Sequence, residues 1–361
     1  MAVGALPSAA TARGTRRARA AHGSTRWTIA AAGALVGAVV LGVLVGPAGL
    51  PVRGVLLDIV GRVPFVHVHS GLTTSEQSLL WQIRVPRVVL GALVGWMLAA
   101  GGAAYQGVFR NPLADPYLLG VAAGAGLGAT IAIVYGPTTS GWTVDPLPLF
   151  AFVGAIGAVA LTYAVGRTAD RGRTAVTLVL AGVAVAAFLT AVQTYVQERH
   201  TDVLREVYSW ILGQLTTSGW HGVVLVLPYV AVSSVVLLAH RRLLDVLRVG
   251  EDEAATLGVS TRRVRVTVVA AATLGTAAVV SVSGLIGFVG IIVPHTVRLV
   301  AGASYRRVLP LSMLLGAAFL VAVDVIARSL SSPAEIPIGV VTAFFGAPFF
   351  VLVLRTRRTV S

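Results

Sequence analysis

VTVVAAATLGTAAVVSVSGLIGFVGIIVPHTV, residues 266–297, decides how this chain is folded. It holds no aspartate, glutamate or arginine and is bounded by Arg265 and Arg298. As one helix it would be about 48 Å long at 1.5 Å per residue, too long for a hydrocarbon core of about 30 Å. It is also short for two complete spans, which need about 20 residues each. Ser283-Gly284 offers a break, and Gly287, Gly290 and Pro294 follow it. The stretch therefore reads as a full span, 266–283, and a short, tilted or broken one, 284–300.

Other apolar runs lie at 27–46, 88–109, 117–135, 147–165, 174–196, 222–239, 308–327 and 336–354. They are unbroken and near twenty residues long, so they read as helices; barrel strands alternate over about ten residues. The total is ten spans. Charge tests that count through the excess of basic residues on the cytoplasmic side of membrane proteins. With the N-terminus inside, twenty-one of the 28 arginines fall on the inner face. Merging 266–297 into one span would expel Arg298, Arg306, Arg307, Arg355, Arg357 and Arg358 and bring in only Arg328. The expectation is an all-α polytopic membrane protein with ten transmembrane helices and both termini in the cytoplasm. Residues 1–26 read as an Arg-rich cytoplasmic tail, 27–354 as the membrane domain and 355–361 as a short cytoplasmic tail. The first apolar run is longer than a signal-peptide core and no A-x-A site follows it, so it reads as an uncleaved helix.

Composition agrees: 56% of residues are hydrophobic and 12% charged, against about 25% charged in soluble domains. The net charge is +14, and every basic side chain counted in it is arginine. Without a lysine the chain cannot form a P-loop or a kinase site. Without a cysteine it has no disulfide, thiolate metal site or Fe–S cluster. No H-E-x-x-H motif and no nucleophile elbow is present, and the first eight spans hold no acidic residue. Ion-driven transporters keep ionisable groups at mid-membrane, so their absence argues against an ion-coupled secondary transporter, the competing class.

Four places depart from this bland background. RNPLADPYLLG, 110–120, is a proline-bracketed cytoplasmic turn after span 2, read on its own as a plain helix–loop–helix connection. The segment 240–265, with GEDEAATLGV at 250–259, is the longest inner loop between spans, either a solvated loop or a docking surface for a soluble partner. RVPR, 84–87, and Arg328 put charge on the outer side, as snorkelling anchors or as a docking patch. Asp324 precedes Arg328 by four residues and shares its helix face. GLIGFVGIIVPHTVRLV, 284–300, and EIPIGVVTAFFGAPFF, 335–350, place glycine and proline inside late spans, tolerated only where backbone is buried in protein or lines a cavity. His295 reads as a packing residue, with no acid near it in sequence.

Together these stretches resemble the permease subunits of binding-protein-dependent ABC importers for ferric siderophores, haem and cobalamin, the FecCD family. RVPR, NPLADPYLLGVAAGAGLG (111–128), GEDEAATLGV, GLIGFVGIIVPHTVRL, DVIAR (324–328) and EIPIGVVTAFFGAPFF carry the resemblance, in register over roughly 70–354. It implies the ten-helix type II importer permease fold. It also implies pairing with a second permease copy, identical or similar, two ABC ATPase subunits beneath and a substrate-binding protein above. ATP is then used by the partner ATPase, and this chain binds no cofactor or metal and catalyses no reaction. The implied ATPase-coupling residues are Glu251, Ala254, Leu257 and Gly258. Arg84, Arg87 and Arg328 are implied to dock the binding protein, and Asn111, Leu113 and Thr174 to form the cytoplasmic gate. The implied cargo is a ferric siderophore, with haem or cobalamin as alternatives.

Overall fold

The computed structural model describes residues 9–62, 65, 68–137, 145–170, 175–215, 219–331 and 334–358. Every regular element among them is helical. α1 (Ala9–Leu44) is followed by the short α2 (Val52–Gly61) and α3 (Thr74–Ser78). α3 runs through a π-helical turn, Leu79–Arg84, into α4 (Val85–Val108). Next come α5 (Val121–Tyr135), α6 (Pro146–Asp170), α7 (Ala175–Arg199), α8 (Leu204–Ile211) and α9 (His221–Leu247). The chain closes with α10 (Glu251–Thr256), α11 (Thr261–Ser283), α12 (Val289–Ala301), α13 (Tyr305–Ser329) and α14 (Ile338–Arg358). Among the described residues, seven helices are long and apolar enough to cross a membrane, and three shorter apolar ones, Val121–Tyr135, Val289–Ala301 and Ile338–Val353, complete the ten spans.

Hydrogen bonds fix the direction of the decisive stretch. α11 ends beside α8, where Gln214 N donates to Ser283 O at 2.8 Å. α12 runs back to the opposite end, where Arg248 Nη1, just past α9, donates to Ala303 O at 2.7 Å. The break at 283–284 therefore separates two antiparallel spans. α12 is short because residues 284–288 are not helical and Phe288 takes a left-handed φ of 69°. These two ends are called here the α8 end and the α10 end.

Span 3 is broken as well. After α4 reaches the α10 end, the chain turns back as a non-helical segment and a short 3-10 helix, Pro116–Leu119, before α5 starts. Asp115 caps that turn, with Tyr117 N donating to its Oδ1 at 2.9 Å. Its other oxygen lies over Gly290, which packs on Leu98 and Gly102 of α4. Gly102 is six residues before the end of α4, so Asp115 sits about 9 Å inside that end. Two prolines and a left-handed Gly120 (φ 87°) fold this turn inward.

α4 forms the centre, packed by α13, α11, α9 and α12. Of its apolar window 78% is buried, against 17% for α1, which lies at the rim against α13. Close packing without a hydrophobic drive between helices needs small residues. Gly95 lies against the Gly316 carbonyl of α13, and Gly102 against the Gly290 carbonyl at the start of α12.

Two further differences from the sequence reading concern the first ninety residues. α1 already begins at Ala9, inside the stretch read as a tail, because alanine and arginine are among the strongest helix formers. Residues 47–87 are also more helical than their mixed pattern suggests. Thr73 and Glu76 form a reciprocal capping box at α3. Asp58 of α2 accepts from Trp81 Nε1 at 2.7 Å and Gln77 Nε2 at 3.1 Å, binding α2 to the α3–α4 entry.

Candidate functional site

Three regions carry polar chemistry in this apolar body. The first is at the α8 end, where α1 stops. A helix leaves its last four carbonyls without helical partners, and in a membrane these must be satisfied within the protein. Leu41 O accepts from Val45 N, Gly42 O from Arg328 Nη2, Val43 O from Arg84 Nη1 at 3.1 Å, and Leu44 O from the same nitrogen at 3.3 Å. Arg84 Nη2 also reaches Ala48 O. Two guanidinium groups thus close the end of α1, where the helix dipole also favours positive charge. Arg84 and Arg328 are 4% and 3% exposed.

Arg87 differs. It is 12% exposed and bridges two carboxylates. Its Nε and Nη2 donate to Asp324 Oδ1 at 3.0 and 2.8 Å. Its Nη1 and Nη2 donate to Glu335 Oε1 and Oε2 at 2.7 and 2.8 Å. Asp324, 1% exposed, also pairs with Arg328 Nε at 3.4 Å. Glu335 lies on the loop before α14, and its carboxyl is held below the usual carboxylate range, first by its bond to Arg87. The three outer arginines named by the sequence are therefore brought together. Two are committed to backbone carbonyls, however, and Arg87 alone of them meets an exposed carboxylate.

The second region is where the two broken spans meet. The Tyr117 hydroxyl donates to Ile286 O at 3.1 Å and accepts from Ile286 N at 3.3 Å, satisfying both backbone groups freed there. Gln106 Nε2 donates to Gly290 O at 3.0 Å, and Arg298 Nη2 donates to Gln106 Oε1. Neither Tyr117 nor Gln106 stood out in the sequence, since a lone polar residue in an apolar helix shows its target only once a second break lies beside it. His295 stacks edge-on to Phe349 of α14, with centroids 5.8 Å apart. Below this, at the α10 end, Asn111 and Leu113 share one turn, with Leu113 N donating to Asn111 Oδ1 at 3.0 Å. Thr174, the third expected gate residue, lies outside the described residues.

The third region is α10. Its C-terminus is a Schellman motif: Val259 N donates to Ala254 O at 3.1 Å and Gly258 N to Ala255 O at 2.9 Å, with Gly258 left-handed at φ 75°. Leu257 projects from this tip, 67% exposed. Ala254 is fully buried and fastens the helix to the body rather than presenting itself to a partner. The side chain of Glu251 lies outside the described residues. Asp245, at the end of α9, accepts from Tyr305 N and Ser304 Oγ, each at 2.7 Å, joining the root of this segment to the start of α13.

Ten apolar spans, two of them broken where they meet, define a polytopic helical membrane protein, and a chain without lysine carries no P-loop of its own. The chain belongs to the FecCD transport family, whose model matches residues 34–356. It is 40% identical to the cobalamin import system permease protein BtuC of Halobacterium salinarum, covering 92% of this chain and 96% of that protein. It is 34% identical to the iron(3+)-hydroxamate import system permease protein FhuB of Bacillus subtilis, covering 94% and 88%. A solved structure described as an inward-facing conformation of a metal-chelate type ABC transporter superimposes with a TM-score of 0.79 at 30% identity, covering 92% of this chain and 99% of that one. The chain is thus an ABC importer permease.

Proposed function

We propose that this permease imports a metal chelate of the ferric-siderophore type, paired with a second permease and driven by two separate ABC ATPase subunits. An extracytoplasmic binding protein delivers the cargo at the α8 end. The α10 end and both termini lie in the cytoplasm, a reading supported by the twenty-one arginines that then fall inside. The observation that carries the substrate class is that the metal-chelate transporter structure and the ferric-hydroxamate permease both cover most of this chain. A second reading, cobalamin, is favoured by the 40% identity to the halobacterial protein over 96% of its length. Uptake of 55Fe-loaded hydroxamate siderophore and of 57Co-cobalamin, in cells deleted for this chain and complemented with it, separates the two. Uptake restored for the siderophore supports the first reading and for cobalamin the second; restoration of neither overturns both.

Ion coupling is disfavoured although Asp115 proves to lie inside the body. Its carboxylate serves as a cap for Tyr117 N, and among the described residues it belongs to no cluster of three or more histidine or acidic side chains. Coupling to the ATPase runs through Leu257 and Gly258 at the tip, with Glu251 at the other end of α10. Asn111, Leu113 and Thr174 form the inner gate, and Arg87 receives an acidic side chain of the binding protein. Leu257→Arg is expected to abolish uptake, while stimulation of the ATPase by loaded binding protein falls at least fivefold and the amount of permease in the membrane stays unchanged. A leucine that is 67% exposed contributes little to folding, so normal uptake by this variant would remove the coupling role from α10.

A further inference from the structure

The α8 end holds a carboxylate site that is already filled from within the chain. Arg87 offers its Nη1 and Nη2 edge to Glu335 in a bidentate pair, the strongest geometry available to a guanidinium. Glu335 is 41% exposed in that pair, whereas Asp324, the other partner of Arg87, is 1% exposed. An incoming carboxylate can therefore reach the position of Glu335 but not that of Asp324. A cavity of about 90 Å³ opens there, lined by Arg87, Ser209, Gln214, Glu335 and Pro337. Charge favours exchange: Arg87 and Arg328 face Asp324 and Glu335, so displacing Glu335 leaves one positive charge in excess.

Glu335 also sits where displacement has a mechanical consequence. It is three residues before α14, the last span, which packs on α13 and α12. The following residues are held by three backbone bonds: Ile336 N to Ala327 O, Ile338 N to Gly213 O and Gly339 N to Leu212 O, each 3.0 Å. Gly213 and Leu212 follow α8, so this loop ties α14 to α8 and α13 at one point.

We infer that Glu335 is an internal latch: it occupies Arg87 in the undocked permease, and an acidic side chain of the binding protein displaces it, releasing the 334–339 loop that holds the head of α14. This rests on the docking reading above, in which Arg87 receives the partner. Docking is then sensed by the exchange of one carboxylate for another. Deleting the internal one both raises affinity for the external one and loosens the loop.

The test uses the full-length chain in lipid nanodiscs at low ionic strength. Its probe is hexaglutamate, with hexaglutamine as the neutral control. Binding is followed calorimetrically, and hydrogen exchange is followed at residues 334–339. Glu335→Gln is expected to bind hexaglutamate about fivefold more tightly than the native chain. Native chain saturated with the peptide should exchange the loop amides as fast as free Glu335→Gln. Arg87→Gln should abolish binding in both backgrounds, and Asp202→Asn, an exposed acid elsewhere at the α8 end, should leave affinity unchanged. Equal, Arg87-dependent binding by native chain and Glu335→Gln overturns the latch and leaves the docking reading standing. Binding in neither, or binding that survives Arg87→Gln, overturns the docking reading and the latch with it. An Asp202→Asn gain equal to that of Glu335→Gln shows a general charge effect and overturns the latch alone.

Discussion

Replacing Arg84 with methionine is expected to destabilise the permease by about 2–4 kcal/mol and to free α1 from the bundle. The native guanidinium satisfies the carbonyls of Val43, Leu44 and Ala48. Val43 is buried and Leu44 half-buried, so at least one carbonyl loses every partner, at a cost of about 1–3 kcal/mol, with a smaller loss at the second. One effect opposes this: removing a charge from a 4% exposed site also removes the cost of desolvating it. Hydrophobic replacement of buried ions is often neutral for that reason, but there both partners are replaced. Here the acceptors are backbone and stay behind, so the loss wins. Arg84→Lys keeps the charge but not the fork that reaches Val43, Leu44 and Ala48 together, and about half of the loss should remain. Size-exclusion of heated detergent-solubilised protein measures stability, and limited proteolysis between α1 and α2 measures release of the first span. The same variants separate the capping role from docking. If Arg84→Met retains native stability and protease resistance and loses only binding-protein affinity, the cap assignment is wrong.

That case also shows where the sequence could be read and where it could not. The ten spans are legible because arginine is scarce in lipid and plentiful on one face, a pattern summed over 28 residues. The break at Ser283-Gly284 is legible because its charge-free stretch fits neither one span nor two. Polar side chains are read less well, since their meaning depends on what lies opposite. Arg84 and Arg328 look like surface charges in a linear chain. Only the end of α1, some forty residues before the one and nearly three hundred before the other, turns them into carbonyl caps. Tyr117 is invisible for a similar reason: its hydroxyl matters because residues 284–288 leave Ile286 N and O unpaired. The Schellman turn of α10 was written in the local string TLGV, and the burial of Ala254 beside it was not.

Gly102→Val is expected to prevent assembly of the native bundle altogether. A Cβ at Gly102 would fall on the carbonyl oxygen of Gly290, with the Gly290 Cα close behind. Backbone cannot rotate aside as a side chain can, so α4 and α12 must part. Overpacking a well-fitted core by a single methylene already costs about 1–3 kcal/mol. Parting these helices adds loss of the 3.0 Å bond from Gln106 Nε2 to Gly290 O. It also shifts the segment whose Ile286 is held by Tyr117, so polar backbone inside the membrane loses its partners. Helix propensity works the other way, since alanine gains about 1 kcal/mol over glycine in a helix. Gly157 of α6 isolates that gain: it is exposed, and nothing lies within 4 Å of an added Cβ there. Gly157→Ala should therefore be neutral or slightly stabilising. Gly102→Ala should lower the thermal midpoint clearly, and Gly102→Val should leave no monodisperse peak in mild detergent. Should Gly102→Val elute and melt like the native protein, the close approach of Gly102 to Gly290 is not what holds α12 against α4.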